Sequence, residues 1–134
     1  YGTYVAEVVD VAFTGGALKS ERVPCAVDCG QAVNPNIIEQ QMHSGIVYGL
    51  TAALRGSITI EMGAVRESNF HDYRLLAIHE VPPIDVHLIA SGASPGGCGE
   101  PATPVIAPAL ANAIFAATGR RLRALPLEPQ LRLT

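Results

Sequence analysis

Charge is scarce in this sequence. Asp, Glu, Lys and Arg make up 16% of its 134 residues, against about 25% in an ordinary soluble domain. A chain of this length forms one domain with a real core, yet it keeps a large surface for its volume. So little charge over that surface predicts that part of it lies against another protein. The charges sum to −3 and form no basic stripe, which argues against a nucleic-acid partner. Long apolar runs are missing too. No stretch reaches the roughly eighteen residues that a membrane span requires. Cys25, Cys29 and Cys98 contain no CxxC pair, so neither a disulfide framework nor a structural zinc site is supported. His71, His79 and His87 recur at a spacing that suits neither helical nor strand metal pairs, and His43 stands alone. There is no Walker lysine and no correctly spaced dinucleotide fingerprint. The sequence opens on Tyr1-Gly2-Thr3-Tyr4-Val5, without Met or a signal-peptide pattern. It reads as the middle of a strand, and the expectation is a fragment of a longer chain.

What stands out is Ser91-Gly92-Ala93-Ser94-Pro95-Gly96-Gly97-Cys98-Gly99-Glu100-Pro101. Four glycines within residues 92–99 keep side chains away from whatever lies against this backbone. Glu100 is the only Asp, Glu, Lys or Arg between Asp85 and Arg120. A phosphate cradle fits poorly, because Glu100 would repel the anion. Cys98 has a nucleophile-like setting but no assignable base, and it reads as a small packing residue. A carboxylate on a glycine-lined loop is suited to act as a base. The alternative is a residue that only complements the dipole of the helix that follows.

The remaining pattern is α+β, a mixed sheet with β-hairpins and two main helices. Residues 3–13 are rich in β-branched and aromatic side chains, Thr14-Gly15-Gly16 is a turn signal, and a second strand runs to residue 28. Pro24 places that second strand at a sheet edge or a bulge. Asn34-Pro35 opens a helix as N-cap and first helical residue. Ile38, Met42, Ile46 and Leu50 form its apolar stripe, and Gln41, Gly45 and Gly49 form a second line beside it. That second line admits either a tightly packed helix or a flat ligand. Met62-Gly63 centres a short hairpin, residues 67–74 read as irregular, and residues 84–90 alternate as a strand. Residues 107–117 form a helix that is apolar all round and therefore buried, with Gly119 past its end. Thr103 is a candidate N-cap with Pro104 at the first helical position. Pro108 would then lack a bond to the Pro104 carbonyl, which predicts a later start or a bend there.

Several of these stretches resemble one family. They are Val27-Asp28-Cys29-Gly30-Gln31-Ala32-Val33-Asn34-Pro35, Gln40-Gln41-Met42-His43-Ser44-Gly45, Ser68-Asn69-Phe70-His71-Asp72-Tyr73-Arg74, Gly97-Cys98-Gly99-Glu100-Pro101 and residues 107–119. Together they resemble, in order, the C-terminal part of the molybdopterin-binding large subunit of molybdenum hydroxylases. This is the xanthine dehydrogenase and aldehyde oxidase family, and the branch with isoquinoline 1-oxidoreductase β subunits is the nearest. The resemblance implies an oxidoreductase that hydroxylates an aldehyde or N-heteroaromatic carbon with water-derived oxygen. It implies Glu100 as general base, and Gln41, Gly97 and Gly99 beside the cofactor. The cofactor would be molybdenum–molybdopterin in its cytosine dinucleotide form, with 2Fe-2S clusters on a partner. The implied partners are the upstream part of the large subunit, an iron–sulfur small subunit and a small-molecule substrate. The chain departs from the family in length: the segments that hold most of the cofactor are absent, as are cluster-binding cysteines. Residues 1–134 are therefore expected to be one segment of such a subunit, inactive alone. A non-catalytic packing or assembly module derived from the same fold is the alternative.

Overall fold

A proline inside an inner strand sets the layout of the sheet. The computed structural model describes residues 2–15 and 17–131. Strands β1 (Tyr4–Glu7) and β2 (Asp10–Thr14) both pair antiparallel with one long strand, β3 (Ala17–Asp28). Val8 donates its N–H to the Pro24 carbonyl at 3.1 Å, and Pro24 has no N–H to return. The ladder lapses at Val8 and Val9, and what the sequence suggests as one strand over residues 3–13 becomes two. On the other side of Pro24 lies β6 (Ile84–Leu88), which pairs parallel with Val23–Val27. Of the edge or bulge expected from Pro24, the edge position is thus incorrect. The irregularity is taken up by the broken ladder and by a register shift between Asp10 and Val11.

The first main helix, α1 (Pro35–Leu54), starts as its sequence predicts, with the Asn34 side chain accepting the Ile37 N–H at 3.2 Å. The second, α2 (Ala102–Thr118), ends on Gly119 at φ 69°, whose N–H reaches the Phe115 carbonyl at 2.8 Å. Ile38, Met42, Ile46 and Leu50 of α1 share one core with Ala102, Ile106, Leu110 and Ile114 of α2 and with Val23, Cys25 and Val27 of β3. The fold is α+β with a mixed sheet, as the pattern predicts.

Two expectations about α2 need correction. It begins at Ala102, two residues before the start that a Thr103 cap suggested and well before a late start at Pro108, and runs through that proline. Nor is it buried all round, since Pro104, Pro108, Asn112 and Phe115 lie on an exposed side. Within this chain only one face of the helix meets α1 and the sheet. Apolar composition alone does not say how many faces a neighbour covers.

The line of small residues on α1 is packing. A Cβ on Gly45 would stand 3.0 Å from the Ala102 Cβ, and one on Gly49 would stand 2.5 Å from the Thr103 carbonyl oxygen. The helix backbones approach where those side chains are missing. Beyond α1, a two-residue turn at Met62 (φ 49°) and Gly63 (φ 82°) joins β4 (Ile60–Glu61) to β5 (Ala64–Val65). Arg55, just past α1, forks onto Glu80 at 2.8 and 2.5 Å and reaches Glu128 of the short helix α3 (Glu128–Leu131) at 2.7 Å. Arg55 and the Ala77 N–H hold the Glu80 carboxyl down at about 2.

Glu7 is the one carboxylate turned inward from β1, at the alternation parity of Val5. Both its oxygens are shut off from solvent without a hydrogen-bond partner. Burial pushes its carboxyl up from 4.5 to about 7. Burial, helped by Glu7, also lifts the Cys25 thiol opposite it to about 12. The native state therefore holds a proton that the unfolded chain releases near pH 4.5. Stability is full below that pH, falls between about 4.5 and 7, and stays reduced above. With solvent screening allowed for, the loss at pH 8 is about 2 kcal/mol. Urea denaturation of wild type at pH 5 and pH 8 should show it. Glu7→Gln should flatten the difference, and an equal slope in both proteins would refute the assignment.

Candidate functional site

Parallel strands end at the same edge of a sheet, whereas antiparallel neighbours end at opposite edges. Because β6 runs parallel to β3, the segment after Asp28 and the glycine stretch after Leu88 leave the sheet side by side. The contacts between them are close. The Gln31 N–H reaches the Ala93 carbonyl at 2.9 Å, and the Gly96 N–H reaches the Cys29 carbonyl at 2.8 Å. Gly30 (φ 74°) lies between these bonds, and a Cβ there would meet the Ala93 carbonyl oxygen at 2.7 Å and overlap that of Ser94. Here glycine is required twice over, by its left-handed conformation and by the approach of a second backbone. Asp28 closes the arrangement. Its Oδ1 accepts the Ser91 hydroxyl at 2.6 Å and the Gly30 N–H at 3.0 Å. Those bonds, Ser91 first, hold its carboxyl below the ordinary Asp range.

The glycine stretch then passes Cys98, half-buried against the core, in keeping with its reading as a packing residue. It delivers Gly99 and Glu100 to the start of α2, where the Thr103 N–H reaches the Glu100 carbonyl at 3.0 Å. Gly97, Gly99 and Glu100 are exposed, and Gln41 on α1 is half-buried. A Cβ built on Gly99 would have the Gln41 Oε1 as its nearest neighbour, at 3.8 Å. Of the four candidate residues, two are thus brought together across the fold, the amide of Gln41 and Gly99, and Glu100 is next in the chain. Gly97 lies two residues before Gly99 on the same exposed stretch. His43, also on α1, points its Nε2 away from solvent, 4.0 Å from Glu39. Among the described residues, no group of three or more His, Cys, Asp or Glu could hold a metal ion. No helix among them is long and apolar enough to cross a membrane.

Asp28, Gly30 and Ser91 lie in stretches that stand out in the sequence, but the pattern assigns none of them a role. The available signal was an Asp two residues before a glycine, a spacing that favours a local side-chain-to-backbone turn.

An amide beside a backbone without side chains, open on its outer side, suits a flat polar heterocycle. Such a ligand needs in-plane hydrogen bonds and close backbone approach. That chemistry fits a pterin. Residues 1–82 match the model of a molybdopterin cofactor-binding domain, and the chain belongs to this family, the molybdopterin-binding domain of molybdenum hydroxylase oxidoreductases. The match takes in Gln41 and ends before Gly97. The chain is 39% identical, over 96% of its own length, to the isoquinoline 1-oxidoreductase subunit beta of Brevundimonas diminuta. It is 34% identical over 85% of its length to the membrane-bound aldehyde dehydrogenase [pyrroloquinoline-quinone] of Gluconacetobacter polyoxogenes. It spans only 17% and 15% of those two proteins. The solved structure of a Cu,Mo-CO dehydrogenase superposes on 87% of the chain with a TM-score of 0.78 at 25% identity, over 16% of that larger chain.

Proposed function

We propose that this chain is the C-terminal segment of a molybdopterin-binding large subunit. In the complete enzyme it would present Glu100 as the general base for hydroxylating an aldehyde or N-heteroaromatic carbon with water-derived oxygen. The observation that supports the reading is the Gln41 amide beside Gly99, the residue before the exposed Glu100. Gln41 would hydrogen-bond the edge of the pterin, and the bare backbone at Gly97 and Gly99 would let it lie close. When bound, the molybdenum–pterin group supplies a two-electron redox centre. The cytosine dinucleotide form is the one proposed. Glu100 holds the proton released by the attacking oxygen on its carboxylate. A carboxylate serves as a base near neutral pH when water is kept from it. Glu100 is exposed on this chain, so the enclosure would be built by the upstream part of the subunit. The low charge of the chain and the exposed side of α2 support packing against such a part. Electrons would leave through 2Fe-2S clusters on a small partner subunit.

Co-production with the upstream segment of a large subunit tests the reading. A coloured complex with one molybdenum per chain is expected. Stoichiometric molybdenum on the isolated 134-residue chain would overturn the division of labour. A stable complex that never acquires molybdenum would point instead to an assembly module.

A further inference from the structure

We propose that Asp28 is a positioning residue for Glu100. It does not touch the reacting groups. It ties the glycine stretch to the end of β3, and that stretch sets where Glu100 stands. The inference rests on the reading of Glu100 as the base.

Residues 91–98 contain no helix or strand, so no ladder of their own fixes them. Four glycines in residues 92–99 make such a backbone costly to order. Its order comes from the neighbouring turn. Asp28 is the last residue of β3 and is paired with Tyr4, so its backbone is anchored in the sheet. From there one carboxylate oxygen holds both sides of the junction. It accepts the Gly30 N–H on its own segment and the Ser91 hydroxyl on the other. With Gly30 held in its left-handed turn, the Cys29 carbonyl meets the Gly96 N–H and the Gln31 N–H meets the Ala93 carbonyl. Glu100 follows Gly96 by four residues, between this clamp and the first turn of α2. Releasing the clamp frees the upstream side of Glu100 while α2 still holds the downstream side. The carboxylate would then keep its surroundings and lose its alignment. Misplacement of a reacting group by about 1 Å can cost on the order of 100-fold in rate.

What the clamp needs from Asp28 is an acceptor atom, which Asn also carries. In the complete enzyme, Asp28→Ala should lower kcat about 10- to 100-fold, with KM within about threefold and molybdenum content unchanged. Hydrogen exchange of the peptide covering residues 91–98 should speed up in the same variant. Asp28→Asn should restore both, with kcat within about threefold of wild type. If Asp28→Ala does not accumulate as holoenzyme, Ser91→Ala, which removes one of the two bonds, carries the same comparison with a smaller drop. Wild-type kcat in Asp28→Ala, slowed turnover without faster exchange, or an Asn variant as damaged as the Ala variant would each overturn the proposal. Glu100→Gln measured alongside separates the two ideas. If it turns over normally, the base assignment fails whatever Asp28 does. If it is dead while Asp28→Ala is unaffected, only the positioning role fails.

Discussion

Glu100→Gln in the complete enzyme should reduce turnover by about 10²- to 10⁴-fold, the range that a single general base contributes. That corresponds to roughly 3–5 kcal/mol of barrier. Gln keeps the shape and hydrogen-bonding reach of Glu and loses only its ability to hold a proton. Because Glu100 is exposed at the end of a loop, the change should leave stability within about 0.5 kcal/mol of wild type. Gln41 and the backbone at Gly97 and Gly99 are untouched by it, so molybdenum content should stay near normal. Metal analysis and steady-state kinetics on one preparation decide the matter. Lost turnover with full cofactor marks a proton-transfer role, and near wild-type turnover removes it. If cofactor and turnover fall together, Glu100 is a binding residue.

Gly49→Ala should destabilise the fold by up to about 2 kcal/mol, while Gly45→Ala should be neutral or stabilising, by less than about 1 kcal/mol. Both substitutions gain roughly 1 kcal/mol of helix propensity. They differ in what the new methyl meets. At Gly45 it faces the Ala102 Cβ at 3.0 Å and the Thr103 Oγ1 at 3.2 Å, and shifts of a few tenths of an ångström relieve both. At Gly49 it runs into the Thr103 carbonyl at 2.5 Å as well as the Ile106 side chain, and helix backbone cannot give locally. The helices must part, and overpacking of this kind costs about 1–3 kcal/mol. Gln41 lies on the same line of α1, two turns before Gly49. Parting the helices would therefore also move its amide away from Gly99. Urea midpoints of the two variants test the contrast. Equal stabilities would show that the approach at Gly49 is looser than described.

Local chemistry made much of this fold legible. Asn34-Pro35 announced the start of α1, Met62-Gly63 a tight turn, and Gly119 the end of α2, because each solves a backbone problem with a residue type suited to it. What stayed hidden depends on which segments meet. Pro24 reads as an edge or bulge residue because a missing N–H is tolerated at either; the sheet leaves a gap in one ladder and keeps the strand inside. The parallel partnership of β3 and β6 leaves no local trace, since pairing across that distance in sequence is decided by the core. Glu7 looks like one more polar residue on an alternating strand until the strand's inward face is known. For the site, the glycine stretch and Glu100 stood out from composition alone; Gln41 stood on a helical line open to packing or a flat ligand, and the family resemblance alone set it beside the cofactor. The role of Asp28 became visible only when two loops were seen to leave one edge together.

That shared edge has a practical side. The register that joins the two loops is fixed by strand pairing, while residues 57–75, between α1 and β6, contribute nothing to the core. Lengthening such a connection costs little, about 0.6 kcal/mol for each doubling. The exposed turn at Met62 and Gly63 is accordingly a place where foreign sequence, such as an affinity tag or a fluorescent reporter, can be spliced into the chain while the Gln41–Gly99 pair keeps its spacing.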